Sequence, residues 1–263
     1  MNLSEYAGFD ALGLAALVKN GDVTPKELAE TANAAIAAID GEVGAVVETY
    51  DDRIAGLDEA ALGDGPFRGV PCLIKDVFGH EKDRLIEFGS RLCRGMTVDQ
   101  DTHFAKLLRA SGVNILGRSN APEYSMAGTA ENAIYGNTST PWKKGYSAGG
   151  STGGGAAAVV AGIVPIAHGT DIAGSIRIPA SYCGGVGLKP SRGRMSFGPG
   201  IDEHGFGLAA TLVQTKTVRD AAAMLDCLAV PQTGDPFFIP SPDKPFAAYT
   251  GIPAKKLKIG WSV

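Results

Sequence analysis

The sequence lacks a basic excess, a long apolar run and any paired spacing of cysteine or histidine, and each absence removes a class of function. A net charge of −4 leaves no basic footprint for nucleic acid. No apolar run approaches the roughly 20 residues that cross a membrane. Met1-Asn2-Leu3-Ser4-Glu5-Tyr6 has neither the basic stretch nor the apolar core of a signal peptide. The four cysteines, Cys72, Cys93, Cys183 and Cys227, stand in apolar or helical contexts and read as buried, reduced thiols of a cytoplasmic protein. The four histidines, His80, His103, His168 and His204, form no H-x-x-H or H-E-x-x-H pattern, so no metal site is expected.

What is abundant is glycine. The 36 glycines exceed average usage and cluster at tight turns rather than in a repeat, which points to sites built from backbone. Hydrophobic residues at 44% and charged residues at 20% describe a globule with a substantial core. The 263 residues suffice for one large domain, or one and a half ordinary ones.

Along the chain, residues 1–62 read as a helical segment that packs on a core formed by residues 63–263. Asp10 caps a helix through Leu12, Leu14, Leu17 and Val18 that ends at Gly21. Thr24-Pro25-Lys26-Glu27 is a capping box with proline in the first turn, and opens a helix that Asp40-Gly41 is expected to stop. A strand is expected over Val43–Tyr50 and another helix over Asp51–Leu62. From Gly69 onward, strands predicted at Val70–Ile74, Val113–Leu116, Val164–His168 and Lys256–Trp261 alternate with helices at Thr102–Ala110, Gly155–Ala161 and Val218–Leu228. Such alternation argues an α/β fold with helices over a mostly buried sheet. Pro231–Pro245 reads as an irregular surface excursion, and a strand at the very end suggests a piece of something longer.

Three segments carry chemistry. Gly169-Thr170-Asp171-Ile172-Ala173-Gly174-Ser175-Ile176-Arg177 follows a predicted strand, and the backbone N–H groups of Ile172, Ala173, Gly174 and Ser175 can converge on a carbonyl oxygen attacked by Ser175. The plain alternative is a glycine turn with a hydrogen-bonded serine. In Gly149-Gly150-Ser151-Thr152-Gly153-Gly154-Gly155, Ser151 reads as a relay hydroxyl, as an N-cap or as part of a phosphate cradle. No G-x-x-x-x-G-K-[ST] and no acidic ribose partner accompany it, so no cofactor is expected. Cys72-Leu73-Ile74-Lys75-Asp76 puts Lys75 at the end of an apolar run, where burial can make its amine a neutral base; the alternative is a lysine exposed or paired with Asp76. Gly145-Tyr146-Ser147-Ala148-Gly149 matches the nucleophile elbow G-x-S-x-G, but the polar, proline-containing stretch before it is no strand.

These segments resemble the amidase-signature hydrolases. The resemblance rests on Gly69-Val70-Pro71-Cys72-Leu73-Ile74-Lys75-Asp76, Gly89-Ser90, Gly117-Arg118-Ser119-Asn120-Ala121-Pro122-Glu123, Gly149–Gly154, Gly169–Arg177, Pro179-Ala180 and Cys183–Pro190, in one order. It implies a mixed β-sheet covered by helices on both faces, here truncated at its C-terminal end. It also implies Ser175 as acylated nucleophile, Ser151 as bridging serine (cis in the family) and Lys75 as general base. Asp171 and Arg177 resemble the family's charged pair behind the nucleophile turn, with Thr152 beside them. Two departures stand out: Ala173 occupies a position where the family usually has glycine, and Thr152 replaces a commoner serine.

The function so implied is hydrolysis of carboxylic amides, with esters and carbamates as side substrates. The expected partners are a small-molecule amide, and a second copy or the remainder of a longer chain; nucleic acid and membrane are not. One alternative is the glutamine-hydrolysing component of a tRNA-dependent amidotransferase, although Gly200–Gly207 looks more like stand-alone bacterial amidases. Another is a non-catalytic, truncated chain.

Overall fold

In the computed structural model, which describes residues 1–253, 256–258 and 260, buried apolar segments pair into one mixed sheet. The strands are β1 (Val46–Thr49), β2 (Pro71–Lys75), β3 (Asn114–Ser119), β4 (Glu131–Asn132), β5 (Gly136–Asn137), β6 (Ile166–Asp171), β7 (Val186–Gly187) and β8 (Ala210–Thr215). β4 and β5 pair only with each other; the other six lie in the order β1-β3-β2-β6-β8-β7. β2 runs parallel to both β3 and β6, whereas β1, β8 and β7 are antiparallel to their neighbours. The parallel centre of the sheet matters most, because β2 and β6 end side by side at Lys75 and Asp171. Ligand sites in α/β folds form at such carboxyl ends.

The helices are α1 (Leu3–Gly8), α2 (Ala11–Asn20), α3 (Pro25–Val43), α4 (Asp51–Ile54), α5 (His103–Ala110), α6 (Gly153–Val160), α7 (Arg177–Cys183) and α8 (Val218–Leu228). Successive residues of a strand point to opposite faces. A Cβ on Gly155 of α6 would lie 3.2 Å from the Ala167 Cβ, while the ring of Phe104 on α5 lies 4.5 Å from that of His168. Thus α6 and α5 cover opposite faces of the sheet. Leu14, Leu28 and Ala32 from the N-terminal helices join the same apolar cluster as Leu73, Val159 and Ile166.

Several boundaries differ from those expected. Helix α3 runs through Asp40-Gly41 and ends at Gly44 (φ 66°), because the Asp40 carboxylate accepts the Ala45 N–H at 2.7 Å and so closes the helix onto β1. The helix expected over Asp51–Leu62 is only α4: Gly56 closes it by bonding to the Asp51 carbonyl, and Asp58 then caps a separate 3-10 turn at Glu59–Ala61. Of the strand expected over Lys256–Trp261, Ile259 and Trp261 lie outside the described residues; Lys256–Lys258 and Gly260 belong to no strand. α8 falls over Val218–Leu228 as expected, and the helix capped by Asp10 ends at Gly21. No helix among the described residues is long and apolar enough to cross a membrane.

Candidate active site

Lys75 is buried to 1% exposure at the end of β2, and its Nζ lies 2.7 Å from Ser151 Oγ and 2.8 Å from Thr170 Oγ1. Burial pushes its amine down from the ordinary 10.5 to about 7, against the Asp171 carboxylate, which pulls it up. A neutral amine there can donate to Thr170 and accept the Ser151 proton. Asp76 does not pair with Lys75: its carboxylate bonds Arg118 and accepts the N–H groups of Glu87 and Gly89.

Ser151 is delivered by a turn that only glycine permits. A Cβ on Gly150 would meet the Thr129 carbonyl oxygen at 2.1 Å, and one on Gly154 the Asn120 nitrogen at 2.4 Å. The Gly150–Ser151 peptide is cis. Ser151 is not the N-cap of α6: that position is Thr152, and its side chain makes no capping bond. The Thr152 hydroxyl instead bonds the backbone of Thr170, tying this turn to β6.

The second turn is organised by Asp171. Its carboxylate accepts the N–H groups of Gly174 (2.7 Å), Ile176 (3.1 Å) and Arg177 (3.3 Å), and pairs with the Arg177 guanidinium at 2.9 Å through both oxygens. Burial pushes the Asp171 carboxyl up, but Arg177 and these backbone donors outweigh it and hold it below the usual carboxylate range. This arrangement corrects one expected oxyanion donor: the Gly174 N–H is committed to Asp171. The N–H groups of Ile172, Ala173 and Ser175 have no hydrogen-bond partner among the described residues. Positive φ falls on Gly174 (124°) and not on Ala173, so alanine in place of glycine brings no strain. Asp171→Ala should therefore cost about 3 kcal/mol of stability, read from urea unfolding, since it strands the N–H groups of Gly174, Ile176 and Arg177, while the exposed Arg177 guanidinium turns to water.

Ser151, Thr170 and Ser175 line one cavity of about 330 Å³. Ser175 is half-buried, and its hydroxyl has no hydrogen-bond partner among the described residues. The structure joins Lys75 to Ser151 but leaves Ser175 Oγ unbonded, as is common before substrate binds. The opposite wall is aromatic: Phe78, Phe88, Tyr124, Phe197 and His204. Phe78, Phe88, Tyr124 and Ser125 all have positive φ (65°, 53°, 52° and 58°), a conformation worth about 1–3 kcal/mol of strain at a non-glycine residue. Asp76 imposes it on Phe88 by accepting the N–H groups on either side, and the Phe88 carbonyl in turn accepts the Tyr124 N–H at 2.8 Å. The two rings stack at 5.7 Å.

A family model described as Amidase matches residues 25–263, nearly the whole chain. The chain belongs to the amidase family. The 6-aminohexanoate-cyclic-dimer hydrolase of Paenarthrobacter ureafaciens is 38% identical over 255 residues, covering 95% of this chain and 51% of that protein. A glutamyl-tRNA(Gln) amidotransferase component from a Synechococcus strain is 36% identical over 256 residues, covering 92% and 51% respectively. Among solved structures, 6-aminohexanoate cyclic dimer hydrolase complexed with substrate superposes with a TM-score of 0.86 at 38% identity, covering 92% of this chain and 50% of that one. This amidase-family chain thus spans about half the length of the relatives it matches.

Ser147 of the G-x-S-x-G segment is elsewhere employed: its hydroxyl accepts the Gly149 N–H at 3.0 Å, and its backbone bridges to Ser139. Sequence reasoning missed Thr170, His168 and the aromatic wall. Thr170 and His168 had a signal, being polar residues two apart on one face of a buried strand. The aromatic residues had none, for they come from three separate connections, after β2, after β3 and between β7 and β8.

Proposed function

We propose that this protein hydrolyses carboxylic amide C–N bonds through an acyl-enzyme on Ser175. The observation that carries the reading is the buried Lys75 amine 2.7 Å from Ser151 Oγ, beside the turn that presents Ser175. Lys75 takes the Ser151 proton while Ser151 takes that of Ser175, and the Ser175 oxygen attacks the carbonyl carbon. The N–H groups of Ile172, Ala173 and Ser175, unpartnered among the described residues, supply the donors to the developing oxyanion, each worth roughly 3–4 kcal/mol. The proton returns through Ser151 to the leaving nitrogen as the C–N bond breaks. Water then adds to the ester carbon, and the carboxylic acid departs as Ser175 recovers its proton.

The cavity supports an uncharged substrate with a flat or apolar body. Among the described residues no Asp, Glu, Lys or Arg lines it, and burial keeps His204 less basic than usual. Free glutamine would have to bury an ammonium and a carboxylate there without partners. Identities of 38% and 36% to the two kinds of relative are too alike to choose between them, and the uncharged lining of the cavity favours the stand-alone amidase reading over the amidotransferase one. A fluorophosphonate should label Ser175, and neutral aryl amides should be cleaved in preference to glutamine. A folded protein that never labels would instead be an inert chain. Phe88→Ala should raise KM for an aryl amide about tenfold with a smaller change in kcat, since it removes a stacked wall and no reacting group.

A further inference from the structure

His168 stands buried, at 0% exposure, where the ladder between β2 and β6 stops. The two strands pair at Cys72↔Ile166 and Leu73↔Ala167, and then part. Beyond that point the Lys75 backbone N–H has no strand carbonyl on the β6 side; it donates to His168 Nδ1 at 3.2 Å. A backbone N–H can only donate, so Nδ1 carries no proton and the ring's one proton sits on Nε2. That nitrogen lies 2.9 Å from Thr211 Oγ1, which in turn donates to the Gly169 carbonyl oxygen at 3.3 Å. The chain of donors therefore runs one way, Lys75 N–H to His168 to Thr211 to Gly169.

The ring is locked as well as bonded. It packs against Phe104 at 4.5 Å, and a Cβ on Gly79 would come within 2.3 Å of its Cε1. The titratable groups acting on it are Lys75 on β2 and His80 in the loop beyond; the Cys72 thiol meets only the His168 backbone, and Asp171 acts on the lysine amine. Burial and the two neighbouring bases Lys75 and His80 hold the imidazole well below its ordinary value, so it remains an acceptor at Nδ1.

We propose that His168 is a positioning residue: its neutral imidazole substitutes for a missing strand carbonyl and aims Lys75 at Ser151. The inference rests on Lys75 being the base of the proposed reaction. Without that acceptor, the Lys75 backbone would settle against β6, and displacement by about 1 Å is enough to cost about 100-fold in rate.

Two substitutions of nearly equal size separate positioning from packing. His168→Asn keeps an oxygen where Nδ1 stands, and His168→Leu offers only carbon. The asparagine variant should be labelled by a fluorophosphonate within about tenfold of the parent, and the leucine variant about 100-fold more slowly. A purely packing role predicts the reverse order, since leucine suits a buried site better; a leucine variant labelled as fast as the asparagine one would overturn the proposal. Nitrogen-15 spectra of the parent supply a second reading that needs no turnover. They should show Nε2 protonated and Nδ1 bare at neutral pH; a proton on Nδ1 would refute the inference even if neither variant folds. Parent protein that never labels at Ser175 would sink the proposed reaction, while these spectra would still report on His168.

Discussion

Lys75→Met is expected to stop acylation of Ser175 and, in the same protein, to stabilise the fold at neutral pH. The amine is buried and its pKa falls from 10.5 to about 7. Below about pH 7 it is charged in folded and unfolded chains alike, and the whole cost of burying the charge weighs on the fold. Between about pH 7 and its ordinary value the unfolded chain holds a proton that the folded chain has released, so stability rises with pH. Above that range both forms are neutral and the cost is gone. The difference is on the order of 4 kcal/mol. Methionine has no such term, so urea unfolding at about pH 6 and about pH 10 should show the parent gaining on the variant as pH rises. Over the same range kcat/KM of the parent should fall about tenfold per unit of pH below about 7, while the variant loses about 1000-fold throughout. A variant less stable than the parent at neutral pH would mean that the amine is charged and well paired in the folded protein.

Ser175→Ala should show the opposite separation, a near-complete loss of turnover with no change in the fold. Removing an attacking hydroxyl from a serine hydrolase costs on the order of 10⁴-fold or more, because the remaining groups have nothing to activate. The hydroxyl has no partner among the described residues and the side chain is half-exposed, so the unfolding midpoint should move by less than about 0.5 kcal/mol. Fluorophosphonate labelling should vanish. If the variant still labels, the nucleophile lies elsewhere, and Ser147 in its G-x-S-x-G setting is the first place to look.

The glycine turns show how far local sequence reaches. Gly150 and Gly154 have no room for a Cβ, and Gly174 takes a φ that other residues avoid, so the motifs that hold Ser151 and Ser175 are legible as motifs. Helix caps were equally legible at Asp10 and Thr24, where a side-chain oxygen meets an N–H three residues on, while Thr102, expected inside its helix, caps it instead. The commitment of the Gly174 N–H to Asp171 was not, although both residues lie in one turn, because it depends on where Arg177 and β6 hold the carboxylate. Strand β8 also escaped notice. Its Thr211, Gln214 and Thr215 are polar in sequence, and they are buried with partners: Thr211 accepts from His168 and donates to the Gly169 carbonyl, while the carbonyls of Ile176 and Thr217 accept from Gln214 and Thr215.

By itself the sequence determined the family motifs and the short turns that present Ser151 and Ser175, since capping, steric room at glycine and the order of motifs are local properties. Only the tertiary structure decided the state of those residues. The Lys75 amine loses basicity because strands far apart in the chain enclose it, and the aromatic wall exists because loops distant in sequence converge on one cavity. Desolvation and long-range packing have no signature in any single segment.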